Sequence, residues 1–215
     1  MNTRIRIDFV SDVSCPWCVI GLRSLEDALG QLNGQVTAEL HFQPFELNPN
    51  MPAEGQDIRE HLVAKYGLTP EQYQQNTEAL RVRGEQVGFT FSPGKRSRIY
   101  NTFDAHRLLH WAELEGRQME LKHALFQAYF TDGQDPSSHE TLLALAEHAG
   151  LDASRARQIL SSDEYATEVR ERERFYLEQG INAVPSVIIN ERHLIRGGQP
   201  ADVFVQALRK IAQEQ

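Results

Sequence analysis

The chain has two cysteines, Cys15 and Cys18, held three apart in Ser14-Cys15-Pro16-Trp17-Cys18. They follow an apolar, strand-like run from Ile5 to Val10 and open a helical run from Val19 to Leu32. A strand, a short turn and a C-x-x-C at a helix start suit dithiol redox chemistry. The thiolate is the reactive form of cysteine, and a helix N-terminus favours negative charge. With Cys15 as N-cap, Pro16 takes the first helical position, where a missing N–H costs nothing. Cys18 is then third in the helix, and its backbone N–H is expected to reach the Cys15 sulfur. Cys15 reads as the exposed attacking thiol and Cys18, one turn further in, as the thiol that resolves a mixed disulfide. Positions i and i+3 share a helix face, so the pair can also close a disulfide.

Other readings of these residues stand beside this one. Two cysteines can simply be core, since free thiols are often buried. They can also be half of a zinc site, with His106 and His110 spaced i, i+4 on a helix as the remaining ligands. Those histidines lie far along the chain and suit a solvated or half-buried face, so no metal is expected. Trp17 is either core or an aromatic lip on an open first turn. Val184-Pro185 is either a turn or a cis X-Pro bond beside the sulfur, which is rare and usually serves a purpose. In the second case the Val184 backbone is free to pair with an extended substrate. Pro16, Trp17, Val184 and Pro185 are therefore the substrate-binding candidates.

The elements that must position these residues are legible from periodicity and punctuation. Strand, helix and second strand (Val36 to Phe45) give a βαβ unit, which implies parallel pairing by a right-handed crossover. From Asp57 to Gly180 the pattern is almost wholly helical, with helices expected at Asp57–Tyr66, Thr69–Val87, Tyr100–Glu115, Arg117–Phe130, Ser138–Ala149, Asp152–Leu160 and Glu164–Gln179. Thr69-Pro70-Glu71-Gln72 is a helix start with proline at its first position. Strand character returns at Ser186–Asn190 and His193–Ile195, and Pro200 opens a last amphipathic helix. The expectation is an α/β fold, βαβ…ββα, with residues 1–56 and 181–215 forming one discontinuous domain. An inserted all-α domain would span residues 57–180.

Composition removes several function classes. The chain has 215 residues and a formal net charge of −8, with 40% hydrophobic and 24% charged residues. That is an ordinary globular composition. The acidic balance argues against nucleic acid and anionic membranes, which select clustered Lys and Arg. The N-terminus runs straight into the first strand, so no export signal is expected. No structural disulfide framework is possible beyond the one pair, which fits a reducing compartment. A cytoplasmic protein is expected.

The stretches Ser11-Asp12-Val13-Ser14-Cys15-Pro16-Trp17-Cys18, Pro44-Phe45-Glu46-Leu47-Asn48-Pro49, Asn101-Thr102-Phe103-Asp104-Ala105-His106-Arg107-Leu108 and Gly197-Gly198-Gln199-Pro200 resemble the DsbA family of thiol–disulfide oxidoreductases, most closely its FrnE-like branch. The resemblance implies a thioredoxin-like fold with an inserted helical domain. It further implies Cys15 as nucleophile, Cys18 as resolver, Pro185 in cis, and a cleft with Asn101 and His106 on its far wall. The function expected is a cytoplasmic oxidoreductase or isomerase acting on protein or small-molecule thiols and disulfides. It would need no cofactor beyond its redox-active disulfide, with glutathione as a candidate co-substrate. Two alternatives remain at this level: a glutathione-dependent isomerase or transferase of the kappa and 2-hydroxychromene-2-carboxylate isomerase type, and a non-enzymatic zinc-binding or holdase-like module. Oligomeric state is open.

Overall fold

The strand Thr3–Ser11 (β1) alternates buried Ile5, Ile7 and Phe9 with Arg6, Asp8 and Val10. A period of two sends these sets to opposite faces of a sheet. In the computed structural model, which describes residues 3–214, β1 leads into the helix Pro16–Gln31 (α1) and the strand Val36–Pro44 (β2). The outer limits expected for the discontinuous domain, Met1 and Gln215, lie outside the described residues. β2 runs parallel to β1, with Thr3 opposite Val36 and Phe9 opposite Phe42.

A mostly helical stretch follows: Gln56–Asp57 (β3), Ile58–Tyr66 (α2), Pro70–Gln86 (α3), Arg98–Ile99 (β4), Phe103–Leu114 (α4), Gln118–Phe126 (α5), His139–His148 (α6), Ala153–Leu160 (α7) and Ala166–Glu178 (α8). Asp57 caps α2 by accepting the Arg59 and Glu60 N–H groups. Thr69 and Gln72 form a reciprocal capping box on α3. The chain closes with Ser186–Ile189 (β5), His193–Arg196 (β6) and Ala201–Gln213 (α9). The main sheet has the order β2-β1-β5-β6, with β5 antiparallel to both β1 and β6.

One face of this sheet is covered by α1 and α9. Val19, Leu22, Leu25 and Ala28 of α1 meet Phe204, Leu208 and Ile211 of α9, together with Ile5, Ile7, Phe9, Val187 and Ile189. On the other face Val10 packs with Tyr176 of α8 and Ile181. A second core joins Val13 to α4, α5, α6 and α7 through Leu108, Leu121, Leu125, Leu142 and Ile159.

Three features differ from the sequence expectation. The stretch 57–180 is not wholly helical, because β4 pairs antiparallel with β3. These strands are two residues long, too short to leave a period-two signature. The helix expected over Arg117–Phe130 ends at Phe126 and continues as a π-helical turn, Gln127–Asp132. The wider turn carries Tyr129 and Phe130 into the core of the main sheet. Phe89 and Phe91, which fall between the helices expected at Thr69–Val87 and Tyr100–Glu115, are buried in that same core.

Candidate active site

Cys15 is the N-cap of α1, in extended conformation, and Pro16 begins the helix as expected. The cap itself differs from the expectation. The Cys18 N–H donates to the Cys15 carbonyl at 3.1 Å, and the sulfur accepts no backbone N–H. Instead the Cys15 Sγ–H points across to the carbonyl of Val184, 3.6 Å away. Cys15 is also less open than expected, with 4% of its surface accessible, because the Val184 loop covers it. Cys18 is fully buried. Both are free thiols. Burial pushes the Cys18 thiol well up, the neighbouring Cys15 adds to this, and Lys122 opposes it.

The Val184–Pro185 peptide is cis. Its loop lies tightly against α1. The Gly197 N–H donates to the Pro185 carbonyl at 2.8 Å. A Cβ on Gly198 would sit 2.9 Å from the Trp17 carbonyl oxygen, so glycine is what allows this approach.

Behind the dithiol lies a buried charged group that the sequence reading did not single out. Asp12, the first residue of the β1–α1 turn, accepts the Leu47 N–H at 2.7 Å, the Ser14 hydroxyl at 2.9 Å and the Ser14 N–H at 3.2 Å. Burial alone would raise its carboxyl. The His106 ring, by hydrogen bond and charge, together with the Leu47 N–H and the Thr102 hydroxyl, outweighs burial and holds it below the usual range. His106 Nε2 lies 3.5 Å from Asp12 Oδ1 and 3.1 Å from the Phe45 carbonyl. Lys122, from α5, is completely buried, and its Nζ has no hydrogen-bond partner. The ammonium stands 4.9 Å from the centre of the Phe126 ring and 5.6 Å from that of Phe42. Burial pushes it down to about 8, while Cys18, Asp12 and Cys15 pull it back up.

A cavity of about 480 Å³ opens beside Cys15. Ser14, Cys15, Pro16, Trp17 and Val184 form one side of it, and α2 and α3 supply the other through Leu62, Tyr66, Tyr73 and Leu80. Trp17, 43% exposed, is among the residues that line it. The far wall is not where the resemblance placed it. His106 is buried behind Asp12, and Asn101 serves α4 by accepting the Phe103 N–H at 2.9 Å. Neither lines the cavity. Arg107 of the same stretch is likewise structural: it donates to the carbonyls of Glu164 and Ile159 at 2.9 and 2.5 Å, and to that of Ser162. His110 packs against the Tyr165 ring. Among the described residues no three His, Cys, Asp or Glu side chains converge as a metal site.

A helix-opening dithiol facing a loop with a cis proline, on a four-stranded sheet flanked by helices, defines a thioredoxin-fold redox protein. The chain matches the DSBA-like thioredoxin domain family over residues 6–209. It therefore belongs to that family and is, by class, a thiol–disulfide oxidoreductase. It is similar to a probable DsbA oxidoreductase from Streptomyces coelicolor, at 35% identity over 98% of this chain and 91% of that one, with a TM-score of 0.92. An uncharacterized Bacillus subtilis protein, YwbO, is 27% identical over 95% of this chain and 96% of its own length. The fold is shared with the cytosolic disulfide reductase DsbM from Pseudomonas aeruginosa with GSH, at 17% identity, 97% and 99% coverage and a TM-score of 0.65.

Proposed function

We propose that the protein is a cytoplasmic thiol–disulfide oxidoreductase or isomerase that works through Cys15 and Cys18 and docks its substrate against Val184 and Pro185. The observation that carries this reading is the Cys15 sulfur at the floor of the cavity, with fully buried Cys18 one helical turn behind it. Cys15, as thiolate, attacks one sulfur of a disulfide; a mixed disulfide forms and one thiolate leaves and takes up a proton. Cys18 gives up its proton and attacks the Cys15 sulfur, closing the internal disulfide and releasing the second thiolate. Two electrons pass from the dithiol to the substrate. Run backwards, the same steps oxidise a dithiol.

Each side chain has a task in this scheme. Lys122 supplies positive charge to a buried Cys18 thiolate that burial otherwise opposes. Asp12 fixes the turn that presents Cys15. Glutathione is the proposed co-substrate that exchanges with the pair, a reading supported by the likeness to DsbM with GSH. A reducing compartment suits a chain whose two cysteines are both at the site. Two thiols favour exchange over glutathione-dependent isomerisation, where one activated thiol suffices.

The test is exchange with insulin and with small disulfides. Cys15→Ser removes turnover. Cys18→Ala reacts once and stops as a mixed disulfide. Full activity of Cys15→Ser would overturn the reading, and glutathione conjugation by Cys18→Ser would move it to the transferase class.

A further inference from the structure

The segment Phe45-Glu46-Leu47, just after β2, carries the backbone groups that hold the turn behind the dithiol. The Phe45 carbonyl lies 3.1 Å from His106 Nε2, and the Leu47 N–H donates to Asp12 at 2.7 Å. Glu46 sits between them, and its side chain, 2% exposed, meets α8. There Arg170 Nη1 donates to Glu46 Oε2 and, at 2.8 Å, to Glu173 Oε2. The Glu173 side chain is 9% exposed. The Arg170 guanidinium lies over the Phe103 ring of α4, 3.7 Å from its centre. Two carboxylates from different elements are thus drawn onto one guanidinium nitrogen.

One oxygen of each carboxylate is left over. Glu46 Oε1 and Glu173 Oε1 are both buried, and neither has a hydrogen-bond partner. Among the described residues the only other such side-chain atom is Lys122 Nζ. Two unpaired buried anionic oxygens are costly, and one guanidinium neutralises only one of two carboxylates. A proton between the two Oε1 atoms removes both faults. One oxygen becomes an O–H donor, the other its acceptor, and the cluster with Arg170 becomes neutral overall. The charged and titratable groups acting on Glu46 are Glu173 and Arg170 of α8 and His106 of α4. Burial and the Glu173 charge raise its carboxyl, against the pull of Arg170 and His106.

We propose that Glu46 and Glu173 hold a single proton between their buried oxygens, and that the neutral cluster they form with Arg170 positions Phe45-Glu46-Leu47 behind the active-site turn. The proton belongs to the pair rather than to either residue. Glu46, Arg170 and Glu173 are positioning residues: none of them lines the cavity beside Cys15, and they act through Asp12 and His106. Loss of the proton leaves two adjacent carboxylates on one guanidinium. Their repulsion draws the segment away from α8 and weakens the bond from the Leu47 N–H to Asp12.

The test has a spectroscopic arm and a positional arm. Infrared spectra at pH 6, where an ordinary glutamate is ionised, should show the carbonyl band of a buried carboxylic acid. Glu46→Gln and Glu173→Gln should each remove the whole of that band, because one shared proton needs both carboxyls. A wild type without the band overturns the proposal, and so does a band that survives either substitution. Amide hydrogen exchange at Leu47 reads the positioning. Corrected for its ordinary pH trend, Leu47 protection in the wild type should fall several-fold as the proton leaves. Glu46→Gln carries a donor that cannot ionise, so its Leu47 should stay protected over the same range. Protection that changes alike in both proteins, or in neither, overturns the positioning role. Glu173→Gln repeats both arms if Glu46→Gln does not fold. Neither arm uses disulfide exchange, so failure here is distinguishable from failure of the dithiol reading.

Discussion

Lys122→Met is the most informative substitution, because the side chain it replaces affects stability and chemistry in opposite directions. Lys122 is wholly buried with an unpartnered Nζ, and burial lowers it from 10.5 to about 8. The unfolded chain binds this proton more tightly than the folded one. Stability is therefore lowest below pH 8 and rises as pH climbs from 8 towards 10.5. At about 1.4 kcal/mol per pH unit, the penalty at pH 7 is about 3 kcal/mol. Methionine fills similar space without the charge, so the variant is expected to be about 3 kcal/mol more stable at pH 7. Between pH 8 and 10 it should lose the gain that the wild type shows. Urea titrations of both proteins at pH 7 and pH 10 read this directly.

The chemistry moves the other way. Without the ammonium, the Cys18 thiolate keeps its burial penalty and loses its opposing charge. Removing a nearby opposite charge raises a thiol by about 1–2 pKa units, so the resolving step slows by roughly 10- to 100-fold. Rapid acid quench during a single turnover would show the mixed disulfide accumulating. A variant no more stable than the wild type at pH 7, with an unchanged resolving rate, would refute the reasoning.

Two further outcomes follow from the turn and the loop around Cys15. Asp12→Asn keeps the shape but loses charge-assisted bonds to Leu47, Ser14 and His106, and should cost about 1–3 kcal/mol at pH 7 in urea unfolding. The Asp12 carboxyl is held below 3.8, so its contribution is present above pH 3.8 and lost as pH falls below that value. The variant should lose this part of the acid-induced destabilisation. Gly198→Ala places a Cβ 2.9 Å from the Trp17 carbonyl oxygen and should cost about 1–3 kcal/mol while slowing exchange, because the Gly197–Gly198 loop, which holds the Pro185 carbonyl, must lift from α1. Unchanged stability and rate would show that the loop yields freely.

The sequence exposed the βαβ and ββα units because α1 and α9 bury one face each, which leaves a period of about 3.6, and because β1 is a short apolar run bounded by turn residues. The C-x-x-C was legible for the same reason, since it sits where the apolar run gives way to the helical period. Lys122 was not. A single lysine on a helix looks like a solvated position, and only the packing of α5 onto β2 shows otherwise. Its neighbour one turn earlier, Gln118, is bound into that interface, accepting the Phe42 N–H at 2.9 Å and donating to the Phe42 carbonyl at 3.0 Å. Gln118 and Lys122, four apart and interleaved with Leu121 and Leu125, are a polar pair on a buried helix face. That spacing was the one available signal. His106 misled for a related reason: a histidine in a stretch shared with a redox family suggests a substrate contact, and its burial behind Asp12 depends on the fold of β2 and α4 together.

The central claim is that Cys15 attacks and Cys18 resolves, and trapping tests it most directly. Reduced Cys18→Ala, given a small disulfide, should gain one thiol-sized mass increment, which peptide mapping places on Cys15. Cys15→Ala under the same conditions should remain unmodified, its Cys18 thiol being buried. An adduct on Cys18, or none on Cys15, would contradict the account.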